Sequence, residues 1–157
     1  MRLWRLSNVE DAHRFDGGYG LHHDGRWNTR GRPVTYCASG PALCLLEKLV
    51  HVEDPALLPD STTLVCYEAP DDIAVEEAGL DELPENWRSN LTLTQRIGDD
   101  WLDGIGACLL RVPSVIVPIA DSDDKNFLVN HRHEGAARIA LSYTQGFEYD
   151  PRLFTFR

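Results

Sequence analysis

Residues 34–52 read VTYCASGPALCLLEKLVHV, and the change of period inside them sets the class of the molecule. Val34 to Ala38 is a short β-rich run. Ser39 and Pro41 then open a helix, because a hydroxyl near the start accepts an orphan N–H and a proline in the first turn has none to lose. At about 100° per residue, Ala42, Leu43, Leu45, Leu46, Leu49, Val50 and Val52 fall on one apolar arc. The spacing therefore predicts a helix from about Pro41 to Val52, with that arc laid against a sheet. Glu47 and His51 lie together beyond the edge of the arc. A carboxylate interrupting the run from Ala42 to Val50 is disfavoured at the margin of a buried face unless it is paired. It is either an i,i+4 surface partner of His51 or a group kept for chemistry.

Upstream, Leu3 to Leu6 alternates enough for a first strand, and Asp16 to Pro33 is rich in Gly, Asp, Asn and Arg. A loop of that length in a compact domain is usually functional or mobile. It contains Gly25-Arg26-Trp27-Asn28-Thr29-Arg30-Gly31-Arg32, an aromatic residue and three arginines in a glycine-rich setting. A guanidinium fork matches phosphate oxygens, which hints at pyrophosphate binding; a solvated loop paired with surplus carboxylates fits equally well. Downstream, strands are expected at Thr63 to Glu68 and near Ile73 to Val75. An acidic, proline-interrupted connection runs through Asn86, and a helix is expected from about Leu93 to Leu102. Ala107 to Val112 and Ser114 to Ile119 read as two strands broken by Pro113. Ser114 itself stands where a hydroxyl often caps backbone groups. Phe127 to Val129 is short and apolar, and Ile139 to Tyr143 and Leu153 to Phe156 supply further strand candidates. Because strands cluster and do not alternate strictly with helices, the fold class is α+β, with a mixed β core and flanking helices.

The 157 residues are 43% hydrophobic, and 15 basic against 25 acidic side chains leave a net charge of −10. At roughly 100–200 residues per domain, this is one domain, 1–157. No apolar run approaches the roughly 18–20 residues of a membrane helix, and the N-terminal MRLWRLSNVED has no signal-like stretch, so no membrane contact and a cytoplasmic location are expected. So acidic a surface argues against direct nucleic-acid binding and suits a basic protein partner. Cys37, Cys44, Cys66 and Cys108 form no C-x-x-C pair and sit among apolar neighbours, as buried thiols do. The chain has no G-x-S-x-G elbow and no phosphate-cradling G-x-x-x-x-G-K, and Gly18-Tyr19-Gly20 lacks the third glycine of a dinucleotide fingerprint. His131 and His133, or His22 and His23, make a metal site with Asp123 or Asp124 conceivable. Without helical H-x-x-x-H spacing or a cysteine partner, no metal is expected.

Taken in order, Gly25-Arg26-Trp27-Asn28, Val34-Thr35-Tyr36-Cys37-Ala38-Ser39, Ala42 to Glu47 with Leu49-Val50-His51, Pro113 to Pro118, Asn126 to Asn130 with His133, and Phe147 to Leu153 form a pattern. That pattern resembles the RES domain family over nearly the whole chain. The resemblance implies the toxin of a bacterial type II toxin–antitoxin pair with an ADP-ribosyltransferase-like fold. It implies as partner an Xre-like helix-turn-helix antitoxin in a multimeric complex. By position the family's arginine falls on Arg26, its tyrosine on Tyr36, its glutamate on Glu47 and its serine on Ser114. Two places depart from the family's habit: Asp124 stands two before Asn126 on a shorter acidic arm, and His131 follows Asn130 where a proline is usual.

Family members degrade NAD⁺ by hydrolysis or phosphorolysis, and some transfer ADP-ribose to protein. NAD⁺ is then the substrate, with no cofactor required. Its nicotinamide is already a cationic leaving group, so one carboxylate is enough, and Glu47 would stabilise the oxocarbenium ion while gripping a ribose hydroxyl. Tyr36 would stack the nicotinamide, Arg26 would neutralise the pyrophosphate, Trp27 and Asn28 would complete the binding surface, and Ser114 would orient Glu47 or the ribose. Two other activities compete: protein ADP-ribosylation, and a ribonuclease using Arg26, Arg30 and Arg32 with a histidine such as His51.

Overall fold

The computed structural model describes residues 1–52, 54, 58 and 61–154. Among these residues seven strands form one sheet: β1 Arg2–Asn8, β2 Val34–Ala38, β3 Thr62–Glu68, β4 Val75–Glu77, β5 Leu109–Pro113, β6 Lys125–Asn130 and β7 Ala140–Phe147. Their order is β4-β5-β6-β2-β1-β3-β7. Every pairing is antiparallel except β4 with β5. Three α-helices flank the sheet: α1 Gly18–His22, α2 Pro41–Leu49 and α3 Leu91–Gly104. The architecture is the expected α+β, with the pairing of β2 and β6 tying strands about 90 residues apart into the sheet's centre. No helix among the described residues is long and apolar enough to cross a membrane.

Register assigns each face. Leu3 opposite Tyr67, and Cys37 opposite Phe127, put their side chains on one side, where Val65, Leu109 and Val129 join them in a core closed by Ala12, Ile73 and Ile139. The other side carries Val34 and Tyr36 with Leu128 and Leu110, under Trp27, Trp87, Trp101 and Leu102, and Ala38, which packs with Leu43 and Cys44. Each of those tryptophans hides roughly 150–250 Å², about 4–6 kcal/mol of apolar transfer at 25 cal/mol per Å². They bind α3 to the loop that precedes β2. The approach is close: a Cβ on Gly98 would collide with the Trp27 carbonyl.

Several expectations need correction. The stretch from Asp16 to Pro33 is not wholly loop, since α1 lies within it. Ser114 to Ile119 is not a strand. The Ser114 hydroxyl oxygen accepts the N–H groups of Ile116 and Val117 at 3.0 and 3.1 Å, which curls the chain despite its β-branched composition. The strand expected at Phe127 to Val129 extends through Lys125–Asn130 and is central, its polar ends buried. Leu153 and Phe154 lie in a 3-10 turn, Pro151–Phe154, and residues 155 and 156 fall outside the described residues.

Candidate functional site

Helix α2 ends at Leu49 and is rotated from the expected arc. Leu43 and Cys44 are buried, while Leu46 and Val50 are 41% and 59% exposed. The inward side therefore runs through 43, 44 and 47, one turn apart, and carries Glu47 toward the sheet. The expected pair with His51 does not form, because Glu47 turns to other partners. Ser114 Oγ donates to Glu47 Oε1 at 2.8 Å, and Asn126 Nδ2 donates to the same oxygen at 2.5 Å. Since Ser114 Oγ already accepts two backbone N–H groups, its single proton is committed to Glu47. Oε1 has both lone pairs engaged. Among the described residues nothing bonds Oε2, so the carboxylate presents one free oxygen.

Asn126 pairs with Ala38, and Tyr36 with Leu128, on adjacent antiparallel strands. Tyr36 and Asn126 are thus diagonal neighbours on one face, about 7–8 Å apart. The residue that anchors the carboxylate thus shares its sheet face with Tyr36. Tyr36 is fixed in turn: its hydroxyl donates to Asn28 Oδ1 at 2.7 Å and accepts the Trp27 N–H at 3.0 Å. Burial raises this phenol well above its ordinary value, the Trp27 bond opposing, and the nearby Arg26 charge also opposes. It stays neutral and serves as a strut.

Asn28 is fully buried, with Nδ2 donating to the carbonyls of His23 and Thr29 and Oδ1 taken by Tyr36. Trp27 is 2% exposed in the aromatic core. Both residues lie in the foundation of the loop and not on its surface. Glycine is needed at position 25 because a Cβ there would press on the Tyr36 hydroxyl and Asn28. The loop is completed from α3, where Gln95 Nε2 donates to the Gly25 carbonyl at 3.0 Å and Asp99 accepts from Thr29 N and Oγ1. What projects is Arg26. One of its guanidinium nitrogens donates to the Arg88 carbonyl at 3.1 Å, and it forms no ion pair among the described residues. Arg32 is committed elsewhere, to Asp103 at 2.7 Å and Asp99 at 3.3 Å. Hydrogen bonds from Arg32 and Arg132 hold the Asp103 carboxyl down at about 2.

The structure thus gathers Arg26, Tyr36, Glu47 and Ser114 around one sheet face and leaves His51 exposed outside the constellation. Sequence reasoning gave Asn126 no role, although a polar residue inside an apolar strand was the available signal. It also missed Arg88 and Gln95, which act through a carbonyl and a loop contact that no pattern announces. His131 is sequestered: its Nε2 lies 2.9 Å from Thr35 Oγ1, and burial lowers it to about 4. Among the described residues no three His, Cys, Asp or Glu side chains are grouped to hold a metal. The four cysteines are buried and unbridged. A separate cavity of about 280 Å³, walled by Glu77, Asp81, Glu82 and Lys125, contains none of the site residues.

The sequence matches the RES domain family over residues 2–151. It is 40% identical over 155 residues to Toxin Res of Pseudomonas putida, covering 98% of this chain and 100% of that one. Toxin Res of Yersinia enterocolitica is 36% identical over 146 residues, covering 87% and 88% of the two chains. The Prs ADP-ribosylating toxin of Sphingobium is 32% identical over 158 residues, covering 96% and 95%. A chain in the crystal structure of the M. tuberculosis MbcT–MbcA toxin–antitoxin complex superimposes with a TM-score of 0.72. It has 15% identity, with 98% of this chain and 86% of that one covered, a likeness of fold.

Proposed function

The chain belongs to the RES domain family, and on that premise we propose that it is the toxin of a bacterial toxin–antitoxin pair that depletes NAD⁺ by breaking the nicotinamide–ribose bond. The observation that carries this reading is the carboxylate of Glu47, held through one oxygen by Ser114 and by Asn126, which shares a sheet face with Tyr36, and left with the other oxygen free among the described residues. The C1′–N bond breaks with its electron pair passing to the pyridinium nitrogen, which leaves as neutral nicotinamide. Positive charge spreads over C1′ and the ring oxygen, and Glu47 Oε2 opposes it while accepting from a ribose hydroxyl. Water or phosphate then adds to C1′ and gives up a proton. Arg26 faces the pyrophosphate with its remaining N–H groups, and Tyr36 offers its ring to the nicotinamide. Trp27 and Asn28 contribute by holding that loop, and Ser114 by orienting Glu47.

Purified protein is expected to release nicotinamide from NAD⁺, faster in phosphate buffer if phosphate is the acceptor. Glu47→Gln, which keeps the shape and loses the charge, should fold normally and lose about 10²–10³ in rate. Folded wild-type protein that left NAD⁺ untouched through long incubation would end the proposal. Transfer of ADP-ribose to protein is the second reading, favoured by the Sphingobium relative's name. Label from [adenylate-³²P]NAD⁺ appearing on protein instead of free ADP-ribose distinguishes it. The ribonuclease reading loses its arginine trio, since Arg32 is neutralised by Asp99 and Asp103.

The partner that best fits is an Xre-like helix-turn-helix antitoxin, in keeping with the net charge of −10 and with the toxin–antitoxin complex to which the fold is similar. Co-expression with such a protein encoded beside it should yield one co-eluting complex in which NAD⁺ consumption is suppressed. Separate elution of the two, with activity unaltered, would remove the partner from the reading.

A further inference from the structure

Helix α1 has only five residues, two of them glycine, and nothing in its composition would hold it together in isolation. It is placed by close backbone approach. A Cβ on Gly20 would collide with the Arg32 carbonyl and Val34 Cγ1. Gly17 caps the helix at φ +74°, where a Cβ would also meet the Pro33 carbonyl. Val34, Tyr36 and Ala38 alternate onto one face of β2, so α1 sits at one end of that row and the Glu47–Asn126 pair at the other. Between them lies Tyr36.

Tyr19 is the side chain that α1 delivers to this row. Its ring centroid is 6.1 Å from that of Tyr36, with the planes at 83°. His23 lies 5.1 Å away on another side, tilted by 32°. The Tyr19 hydroxyl donates to the Asp24 carbonyl at 3.3 Å, so the ring is steadied. Yet it is 54% exposed. Two phenol rings at right angles thus form a corner on the Glu47 side of the sheet, one fixed as the floor and one standing open.

Resting on the NAD⁺ reading above, we propose that Tyr19 is the second wall of the nicotinamide subsite and a specificity-determining residue for the charged ring. A π-face attracts a cation, and the nicotinamide ring of NAD⁺ is one. The ring of NADH is not. When the C1′–N electron pair moves onto the ring nitrogen the charge disappears, and with it the attraction, so the corner holds the substrate and releases the product. Because the interaction weakens as the bond breaks, it belongs to ground-state binding: it lowers KM without raising kcat.

The test compares Tyr19→Leu, which keeps apolar bulk without a π-face, with Tyr19→Phe, which keeps the ring. Tyr19→Leu should raise KM for NAD⁺ on the order of three- to thirtyfold with kcat no lower than wild type, while the inhibition constant of NADH moves less than about twofold. Tyr19→Phe should recover most of the KM. An unchanged KM in Tyr19→Leu, a fall in kcat, or an equal loss of NADH affinity would each overturn the wall. If wild-type protein leaves NAD⁺ intact, the reading of the reaction fails separately, and the corner is judged by NMR with the 1-methylnicotinamide cation against neutral nicotinamide. Tighter binding of the cation, with Tyr19 and Tyr36 ring shifts that vanish in Tyr19→Leu, sustains it; equal or absent binding removes it.

Discussion

Ser114 Oγ receives two backbone N–H groups and has one proton to give, and Glu47 takes it. The same hydroxyl therefore shapes the turn after β5 and aims the carboxylate. Ser114→Ala removes both. Leaving the Ile116 and Val117 N–H groups without that acceptor should cost about 1–3 kcal/mol, read as a lower midpoint in urea. Loosening Glu47 should reduce NAD⁺ consumption about 10–100-fold, since small misplacements of a reacting group are costly. A variant as stable and active as wild type would contradict both parts. His131 is a second residue at which a proton bears on the fold, here through stability. Burial beside Thr35 is the main cause of its fall to about 4, with Arg5 acting in the same sense and Asp16 opposing. A folded value below the unfolded value of about 6.5 means the unfolded chain binds the proton first, so stability is full above about pH 6.5 and declines toward pH 4. The slope contributed is less than about 1.4 kcal/mol per pH unit. Denaturation of wild type and His131→Asn at pH 7 and pH 5 should show the wild type losing more; parallel losses would exclude the assignment.

At the level of elements, the run from Val34 into α2 was readable because both periods are strong there, and the match of Arg26, Tyr36, Glu47 and Ser114 to one family pattern named four residues of the candidate site. The face that α2 buries was not readable. Its apolar residues spread over a wide arc, and the choice among faces was made by Glu47 finding Ser114 and Asn126, residues 67 and 79 positions away. Ser114 to Ile119 misled for a similar reason, a side-chain bond overriding β-branched propensity. Helix α1 was invisible because glycines ordinarily break helices, and here their missing Cβ atoms are what let it dock. Gly98 in α3 is of the same kind. Gly98→Ala would drive a methyl into the Trp27 carbonyl, so a loss of about 3 kcal/mol or more is expected, above the usual range for overpacking because the obstacle is backbone. Since α3 also braces the Arg26 loop through Gln95 and Asp99, NAD⁺ affinity should fall with stability. A wild-type melting temperature in that variant would show the contact to be slack.

Across the whole molecule, the sheet is threaded so that its middle is finished late. β2 lies between β1 and β6, and β6 is made of residues 125–130, near the end of the chain. Glu47 thus exists on the growing polypeptide long before either of its hydrogen-bond donors does. Until residue 126 has been made, helix α2 carries that carboxylate without its full anchorage, beside β2, which still lacks one neighbour. The anchoring of that carboxylate therefore waits on a pairing between β2 and β6 across about 90 residues, the slow kind of contact, so protection of the 125–130 amides in pulse-labelled refolding should appear late.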